Sequence, residues 1–554
     1  MNLDPQQQAA VTAPLVNLCI MAGAGSGKTR VIVERIKHMI SIGVDPKSIL
    51  ALTYTRRAAK EMVDRLRADL GRQAAQVTTT TIHGFCLLQL TRFGAAIGWR
   101  PESMSVFSED DSKRLMNWVL DDLGFRKNGV LKKVKRRDID RAMHRLGVHG
   151  EWPDQEEQPD IYLIVKTFYA ACRESNTLTY PLILVEFERL MKAVDNVDCG
   201  PNDLIRAEYR HVIVDEVQDT TILQWRLIRS LLPDTLVSCG DLRQSIFGFS
   251  GADPAHTTAQ TKTAHQLLLA NNYRSTVDIV AEGNRCMQDW PKMAAMKPAG
   301  SPVIVTPSSS ENIVNVVNMA LKMGYQFGDI CILARVHRVL AKSVDALREL
   351  GADIYYPKEL AKNEDHPDTA AIHALMSLSV NPHDLFSFRS VAGHLGLTDV
   401  GVQQIRATAK RERVSFIEAH QTVTGRPLNV SDWIAGPGWN EGIQKWIAGN
   451  LAEHDGDHAR YLQWYAMRDL QANQEVIPEG HIVALSIHQA KGLEFPCVIL
   501  IGASEGILPS QMCKSEGEIE EERRLYYVAV TRAESLLIVC PRPDGEPSRF
   551  IGEV

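Results

Sequence analysis

The sequence has no paired cysteines, no long apolar run and no excess of positive charge, and each absence excludes a class of protein. Its ten cysteines are scattered without a CxxC pair, so the ligand spacing of a zinc ribbon or an iron–sulfur cluster is missing. Several cysteines lie in apolar, strand-like runs, and we expect them to be small core residues in a reducing compartment. These are Cys19, Cys331, Cys497 and Cys540.

Segments that would direct the chain to a membrane are also missing. The longest apolar runs are too short to span a bilayer. The N-terminal stretch MNLDPQQQAAV is polar and lacks the hydrophobic core of a signal peptide. We therefore expect a cytoplasmic protein without a membrane partner.

Charge and length limit the remaining classes. The net charge is −6 at pH 7, so any nucleic acid would have to be bound by a local basic groove rather than by the overall charge. The composition, 45% apolar and 23% charged, is that of an ordinary globular protein. A chain of 554 residues suggests roughly three or four domains of ~100–200 residues each.

Apolar runs that end in polar or glycine-rich turns recur along the chain, and several precede helical periodicity. This alternation predicts an α/β fold with parallel sheets flanked by helices. Two stretches without convincing strands, roughly 88–200 and 380–475, are predicted to be helical insertions. The predicted strands are LVNLCIMAG (15–23), ILALTYT (49–55), HVIVDE (211–216), TLVSCGD (235–241), QLLLANN (266–272), DICILAR (329–335), VALSIH (483–488), CVILIGA (497–503) and LLIVC (536–540).

The stretch MAGAGSGKTR, residues 21–30, lies between a predicted strand and a predicted helix. Its glycines let backbone N–H groups converge on phosphate oxygens, Lys28 would reach the outer phosphates, and the Thr29 hydroxyl could bind Mg²⁺. Ala22 stands where the usual pattern has its first glycine. The predicted nucleotide-binding residues here are Ala22, Gly23, Ala24, Gly25, Ser26, Gly27, Lys28, Thr29 and Arg30.

The stretch HVIVDEVQDTT, residues 211–221, ends a predicted buried strand in clustered acids. Asp215 and Glu216 could simply cap the helix that follows, since acids favour helix N-termini. Beside a phosphate loop, Asp215 would instead hold Mg²⁺, and Glu216 would orient or deprotonate an attacking water. ATP and Mg²⁺ are therefore expected, although many NTPases, from transporters to small-molecule kinases, share these two motifs.

Eight stretches narrow the prediction: LDPQQQAAV (3–11), ALTYTRRAAKEM (51–62), TTTTIHGFC (78–86), DEVQD (215–219), GDLRQSIFGFSGAD (240–253), NNYRST (271–276), SIHQAKGLEFPCVIL (486–500) and EEERRLYYVAVTRAE (520–534). In order and spacing the chain resembles the UvrD/Rep/PcrA group of superfamily 1A DNA helicases. The resemblance implies two RecA-like P-loop NTPase domains with two insertions. These are domain 1A (1–87 and 200–275), helical domain 1B (88–199), domain 2A (276–380 and 476–554) and a reduced helical domain 2B (381–475).

The resemblance implies roles for two arginines. Arg274 in NNYRST and Arg532 in VTRAE match arginine fingers, which would stabilise negative charge on the γ-phosphate in the transition state. An isolated arginine more often forms a surface salt bridge. Their positions in two separate motifs favour the catalytic interpretation.

Four further residues match nucleotide-contacting positions of the family. Gln244 matches the glutamine that senses the γ-phosphate, and Gln7 matches the glutamine that reads adenine. Tyr273 matches the tyrosine that stacks on the base, although a tyrosine could also be an ordinary core residue. Glu494 matches an acid on the nucleotide side of the second domain.

Single-stranded nucleic acid is bound by flat aromatic faces along a groove. Phe247 and Phe249 replace the usual tyrosine and tryptophan of the third motif, and Ser250 replaces the usual arginine. Stacking should survive these changes, while one polar contact with DNA is lost; a phenylalanine alone is more often a core residue. By resemblance, the DNA-binding residues are Tyr54, His83, Phe247, Phe249 and His488.

Basic residues stand out at two further places. Arg56 and Arg57 replace the more usual asparagine and lysine of that motif, and we expect them to add positive charge to the DNA groove. The run RKNGVLKKVKRRD (126–138) could bind duplex phosphates. It could equally be the solvated face of a helix.

The second insertion is shorter than the 2B domain of typical relatives. Its segment HLGLTDVGVQQI (394–405) resembles a degenerate form of the hairpin with which that domain grips duplex DNA. We expect no C-terminal nuclease or partner-binding extension, so any cleavage would need another subunit. The protein partner, whether a nuclease or a replication or repair factor, stays open.

Together these motifs predict an ATP-dependent DNA helicase that moves 3′→5′ on single-stranded DNA and unwinds duplex DNA. An alternative is a translocase or motor subunit that remodels protein–DNA complexes with little unwinding, which the shortened insertion favours. A non-hydrolysing DNA-binding scaffold is disfavoured by the intact Lys28, Glu216, Arg274 and Arg532. A small-molecule kinase is disfavoured by the two sets of RecA-like motifs.

Overall fold

The structure, a computed structural model, describes residues 3–127, 129–193, 200–309, 312–349, 351–357, 367–436, 438–468 and 477–552. The chain divides into two compact units. The first comprises Met1–Ile82, Arg206–Glu359 and Ala472–Val554, and the second comprises His83–Ile205 and Leu360–Gln471.

Strands occur in both units of the described chain. In chain order they are β1 (Leu18–Ala22), β2 (Ile49–Thr53), β3 (Thr78–Thr81), β4 (Ser105–Val106), β5 (Arg126–Lys127), β6 (Val130–Leu131), β7 (Thr177–Leu178), β8 (His211–Val214), β9 (Thr235–Gly240), β10 (His265–Leu269), β11 (Asn271–Asn272), β12 (Ala294–Ala295), β13 (Ile304–Val305), β14 (Ile330–Ala334), β15 (Ile354–Tyr355), β16 (Ile482–Ser486), β17 (Phe495–Ile501) and β18 (Ala533–Cys540). Each of the nine predicted strands is confirmed, because each predicted run overlaps one of them.

Helices connect most of these strands. In chain order they are α1 (Pro5–Thr12), α2 (Lys28–Ser41), α3 (Arg56–Leu70), α4 (Ile82–Phe93), α5 (Glu109–Asp122), α6 (Arg136–His149), α7 (Pro159–Glu174), α8 (Tyr180–Lys192), α9 (Pro201–Glu208), α10 (Ile222–Ser230), α11 (Pro254–Thr261), α12 (Val277–Cys286), α13 (Ile313–Lys322), α14 (His337–Arg348), α15 (Pro367–Val380), α16 (Leu385–Val391), α17 (Asp399–Glu412), α18 (Phe416–Thr424), α19 (Val430–Ala435), α20 (Glu441–Ala452), α21 (His458–Arg468) and α22 (Glu516–Val530). Within the described ranges, none of them has both the length and the apolar character needed to cross a membrane.

The first sheet of unit one is parallel throughout and has the strand order β10-β1-β9-β8-β2-β3. Strands β2 and β8 are buried along their whole length. Parallel sheets are covered on both faces, which explains why ILALT and HVIV are uninterrupted apolar runs. Strand β3 at the edge is four threonines. A search for apolar runs misses it, although β-branched threonine favours extended backbone.

The second sheet of unit one is also parallel, in the order β13-β18-β17-β14-β16-β15. Its interior strands β14 and β16 are fully buried. One layer of core residues packs helices α13 and α14 against this sheet, and a second layer packs helix α22 on the opposite side. The α/β fold class with two parallel sheets is therefore confirmed.

Unit two is mainly helical, as predicted for the insertions, but it contains two short strand pairs that the sequence did not predict. Strands β4 and β7 pair in parallel, and β5 and β6 form an antiparallel hairpin. Each strand has two residues, too few to show an alternating pattern. Helix α15 begins at Pro367, so helical structure starts before the predicted boundary near residue 380.

Two singled-out segments of unit two adopt specific local structures. The basic run 126–138 forms the β5–β6 hairpin and the start of α6 rather than one helical face; Asn128 lies outside the described residues. Several of its cations are paired with acids, among them Arg126 with Asp121 and Arg136 with Asp140. In HLGLTDVGVQQI the backbone turns at Gly396 and enters α17.

The carboxyl ends of the parallel strands bring the nucleotide motifs together. The glycine loop follows β1, the acids follow β8, and the GDLRQS segment follows β9. These three strands are neighbours in one sheet, so the motifs lie together at the carboxyl ends of its strands. In open α/β sheets this edge is where ligands bind.

Candidate functional site

The glycine-rich loop turns the chain from β1 into α2 through two left-handed residues, Gly25 at φ 67° and Gly27 at φ 79°. At Gly25 a Cβ atom would also lie 2.7 Å from the Cβ of Arg274, so glycine is needed for space as well as for conformation. The loop ends at the N-terminus of α2, where backbone N–H groups and the helix dipole favour phosphate.

A cavity of about 540 Å³ opens in front of this loop. The loop lines it from Gly23 to Arg30, together with Glu216 and Gln244 from the first sheet and Gly492–Phe495 and Arg532 from the second. Ala22 is the last residue of β1 and is buried, and the lining begins at Gly23.

One hydroxyl of the loop and one at the carboxyl end of β2 are buried. Ser26 Oγ and Thr53 Oγ1 have no hydrogen-bond partner among the described residues. Buried hydroxyls usually have one. The loop residue Ser26 therefore fits a ligand that brings acceptor oxygens, as a phosphate does.

The two acids after β8 are in different environments. Glu216 Oε1 lies 3.6 Å from Lys28 Nζ, and Glu216 has left-handed backbone at φ 51°, an unusual conformation for a non-glycine residue. Burial by itself raises the pKa of both acids. Glu216 also raises the pKa of Asp215, whereas Lys28 and Lys491 bring the pKa of Glu216 below its usual value.

The capping interpretation of the two acids is wrong. Helix α10 is capped by Thr221, whose side chain accepts a hydrogen bond from the backbone of Gln224. Asp215 is buried and accepts a hydrogen bond from the Glu216 backbone N–H over 2.9 Å. Its carboxylate is therefore not used to start the helix.

The residues around Asp215 fit a divalent cation. Among the described residues its carboxylate forms no ion pair, and burial raises its pKa, so a cation would relieve an unfavourable buried charge. No group of three or more potential metal ligands occurs in the described ranges. Mg²⁺ keeps several waters and binds through one or two carboxylates plus phosphate oxygens, so Asp215 could serve as its carboxylate ligand.

Both predicted arginine fingers reach the cavity. Arg532 is almost fully buried, and its Nη2 donates to Gln244 Oε1 over 3.1 Å. Burial lowers its pKa to about 9, so it is still a cation at pH 7. Arg274 Nε donates to Glu494 over 2.6 Å, and its Nη1 donates to the Thr531 carbonyl. Arg274 therefore forms a salt bridge in this structure, as an isolated arginine often does. Both partners of the bridge line the cavity.

Helix α1 contacts the phosphate loop, although none of its residues lines the cavity. Its capping box joins Asp4 and Gln7, and Gln7 Nε2 donates to the loop carbonyl of Ser26 over 3.0 Å. Tyr273 lines the cavity and donates a hydrogen bond to Asp4. The structure therefore connects the predicted adenine-reading residues to each other and to the phosphate loop.

Arg35, which sequence reasoning missed, holds helix α1 in place. Arg35 is 1% exposed and lies on α2, two turns after Lys28. Its guanidinium donates to four carbonyls at or just beyond the end of α1, over 3.0–3.3 Å. Helix C-termini leave carbonyls without partners. No motif marks this residue, because its partners lie more than twenty positions away.

Four of the five predicted DNA-binding residues form one aromatic cluster, which consists of Tyr54, Phe247, Phe249 and His488. Tyr54 stacks on Phe247 with ring centroids 5.2 Å apart, and Phe249 meets His488 edge to face at 5.6 Å. Phe249 is 66% exposed, so it is not a core residue.

The fifth predicted residue, His83, belongs to unit two. Its ring stacks on Tyr180 at 3.6 Å, and 8% of the residue is exposed. Burial lowers the pKa of His83 to about 3, so it is neutral at pH 7.

Arg57 lies elsewhere than expected. We expected it in the DNA groove, but it lines the nucleotide cavity together with Glu61 and Arg65. The reason is its place in the first turn of α3, directly after the carboxyl end of β2. Parallel strands bring this turn to the same edge as the phosphate loop.

These features define a P-loop NTPase with two RecA-like sheets. Arg532, just before β18 of the second sheet, and Arg274, just after β11, both line the cavity at the phosphate loop of the first sheet. The model of the UvrD/REP helicase N-terminal domain matches residues 3–265, and that of the UvrD-like helicase C-terminal domain matches residues 461–541. Together they cover well over half of the chain, which belongs to the UvrD/Rep helicase family.

Several curated relatives match the whole chain. The "ATP-dependent DNA helicase PcrA" of Leuconostoc citreum is 26% identical over 651 aligned positions, which cover 100% of this chain and 85% of the relative. "DNA helicase II" of Escherichia coli (strain K12) is 26% identical and covered over 87% of its length. "ATP-dependent DNA helicase UvrD1" of Mycobacterium tuberculosis (strain ATCC 25618 / H37Rv) is 26% identical and covered over 85%.

Proposed function

We propose that the protein is an ATP-dependent DNA helicase that moves 3′→5′ on single-stranded DNA and separates duplex DNA. One observation carries this proposal. Gln244, in the nucleotide cavity, is three residues from Phe247 of the aromatic cluster. A single short segment therefore contacts both the nucleotide site and the surface proposed to bind DNA.

ATP would occupy the cavity with its phosphates on the glycine loop. The Lys28 ammonium would contact the outer phosphates, and Ser26 Oγ would gain a partner there. Tyr273 would stack on the adenine and Gln7 would read its edge. Thr29 and Asp215 would hold Mg²⁺, which supplies positive charge against the phosphates when it is bound.

Glu216 would act on the attacking water as orienting group or base. Its lowered pKa keeps it ionised at pH 7, which a proton acceptor requires. Arg274 and Arg532 would stabilise charge on the transferring phosphoryl group. For this Arg274 must exchange its bridge to Glu494 for the γ-phosphate, and this exchange would bring the two sheets closer together.

Single-stranded DNA would stack its bases on the aromatic cluster. Stacking on aromatic rings tolerates any base sequence, as a motor that moves along DNA requires. Closing and opening of the cavity during each ATP cycle would then alternate the grip on neighbouring bases. The relatives named as DNA helicases support this function.

A second candidate is a DNA-stimulated translocase or motor subunit that unwinds little by itself. The relative from Leuconostoc citreum aligns over 651 positions, although this chain has 554 residues. Relatives of this kind therefore carry segments without a counterpart here. Part of their 2B domain would be one such segment, because the 2B domain of this chain is reduced. Such a motor would hydrolyse ATP on DNA and need a partner to separate strands.

The deciding experiment is strand displacement on duplexes with a 3′ tail, a 5′ tail or no tail, with ATP consumption followed in the same reactions. Preferential opening of the 3′-tailed duplex is the result expected for the helicase. ATP consumption stimulated by DNA without displacement would favour the translocase. Absence of any stimulation by DNA would overturn both.

A further inference from the structure

Lys491 lies at a junction that none of the motif assignments explains. Its ammonium donates to both carboxylate oxygens of Asp219 over 2.7 and 2.5 Å and to the Gln244 carbonyl over 2.5 Å. It also lies 4.8 Å from the ring centroid of Phe247. One cation therefore contacts the acid motif, the residue proposed to sense the γ-phosphate and a ring proposed to bind DNA.

These contacts join the two sheets of unit one. Asp219 follows β8 of the first sheet, and Lys491 follows β16 of the second. Along its own chain Lys491 lies three residues after His488 of the aromatic cluster and three residues before Glu494 of the cavity lining. Both neighbouring sites therefore depend on the backbone that carries it.

The junction is built around one ammonium group. Lysine has three N–H donors, and the two Asp219 oxygens and the Gln244 carbonyl accept from it. The side chains are 9% and 0% exposed. A buried ion pair costs desolvation and contributes little net stability. An apolar contact at this place would hold the two sheets together equally well. What the ion pair adds is a fixed direction for each partner.

We propose that Lys491 is a positioning residue that couples the nucleotide site to the DNA-binding surface. The Lys491 ammonium contacts both the Gln244 carbonyl and the Phe247 ring. When Gln244 moves toward the γ-phosphate, the ammonium moves with it and shifts the Phe247 ring. This inference rests on the proposed function. It goes beyond that function by assigning the coupling to one contact.

The test measures linkage between the two ligands. The affinity for a fluorescent oligo(dT) strand is measured with and without a non-hydrolysable ATP analogue and Mg²⁺, in the wild type, Lys491→Met and Asp219→Asn. In the wild type the two dissociation constants should differ by about 5-fold or more, the usual size of coupling between sites. In both variants their ratio should fall to within about twofold of one.

Control variants separate coupling from loss of structure. Lys297→Met removes a more exposed ammonium of the same unit, paired with Glu534, and should leave the ratio unchanged. Lys491→Arg keeps the charge and should restore part of the ratio. If Lys491→Met fails to fold, Asp219→Asn decides the question, because it removes the charge that holds the Lys491 ammonium between Gln244 and Phe247.

Two negative results have different meanings. A wild-type ratio that persists in Lys491→Met and Asp219→Asn would overturn the coupling role and leave the helicase proposal intact. A wild type that neither binds the oligonucleotide nor hydrolyses ATP faster with it would overturn the proposed function, and the inference with it.

Discussion

Gln244 accepts a hydrogen bond from Arg532 over 3.1 Å, and its own amide nitrogen donates to Asp241 over 2.9 Å. The amide is therefore fixed at both ends and its orientation is set. Both Gln244 and Arg532 are at most 3% exposed. A ligand that moved Arg532 toward a phosphate would also break its hydrogen bond to Gln244. This contact therefore links the segment after β9 of the first sheet to the residue before β18 of the second.

Replacement of Arg532 by lysine should abolish most turnover. Lysine keeps the charge but cannot reproduce the contacts of the guanidinium with Gln244 and the carbonyls of Leu493 and Val528. We expect DNA-stimulated kcat to fall about 1000-fold or more, the lower end of the range for arginine fingers. Steady-state ATPase assays measure this, and Arg549→Ala, which removes an exposed ion pair of the same unit, is the control. An undiminished kcat would remove Arg532 from the catalytic set.

Glu216→Gln should separate binding from hydrolysis. Glutamine has nearly the shape of glutamate but cannot accept a proton from water, so turnover should fall at least ~100-fold, within the usual range for a general base. Nucleotide and DNA should still bind, which equilibrium titrations with labelled ligands would measure. Near-normal turnover would mean that another group activates the water.

Phe247→Ala should weaken binding of single-stranded DNA. The ring is in contact with Tyr54, Phe249 and the Lys491 ammonium, and loss of one stacking face costs ~1–3 kcal/mol. Fluorescence anisotropy with oligo(dT) would measure this loss. Phe327→Ala is the matched control, because Phe327 is a half-exposed phenylalanine just before β14. Equal losses in the two variants would contradict a specific stacking surface.

Arg35→Lys should reduce adenine selectivity as well as stability. A lysine cannot reach the four carbonyls at the end of α1, and unsatisfied buried carbonyls cost ~1–3 kcal/mol. Helix α1 carries Gln7 and the Asp4 partner of Tyr273, so KM for ATP should rise while KM for a pyrimidine triphosphate barely changes. Lys37 lies on the same helix and forms a solvent-accessible ion pair with Asp69. Lys37→Met should change neither the KM for ATP nor the KM for the pyrimidine triphosphate. Parallel rises for both nucleotides would contradict the positioning role.

Asp384 should make the stability of unit two depend on pH. Burial raises the pKa of this carboxyl to about 7. The nearby Asp111 also raises the pKa, whereas hydrogen bonds from Ser387 and Phe386 lower it. The folded chain therefore holds a proton that the unfolded chain releases near pH 4. Stability from this group is present below that pH and is lost as the pH rises toward 7.

Asp384→Asn tests the sign of this effect. Asparagine can still accept hydrogen bonds at the start of α16 but does not ionise. Relative to the wild type, the variant should gain thermal stability at pH 8 compared with pH 5, as measured by the unfolding temperature. A difference that is independent of pH would show that Asp384 is not protonated in the folded protein.

The nucleotide motifs could be interpreted from sequence because their geometry is local. The glycine loop, the strand before it and the helix after it lie within one continuous stretch, and left-handed turns select glycine. The nine predicted strands could be found for the same reason, since buried parallel strands read as apolar runs, although β10 at the sheet edge is mostly exposed. Strand β3 and the two-residue pairs of unit two were missed because they have no such run. The domain boundaries and the roles of the site residues stay predictions.

The fold class and the phosphate loop follow from the local sequence, whereas Tyr54, Phe247, Phe249 and His488 could be grouped only through the family resemblance. Tertiary structure alone decided the junction at Lys491, the support of α1 by Arg35, the place of Arg57 at the nucleotide cavity and the stacking of His83 on Tyr180. Asp219 and Lys491 are 272 positions apart. Contacts of this kind depend on how sheets and helices pack, and local sequence carries no signal for the pairing.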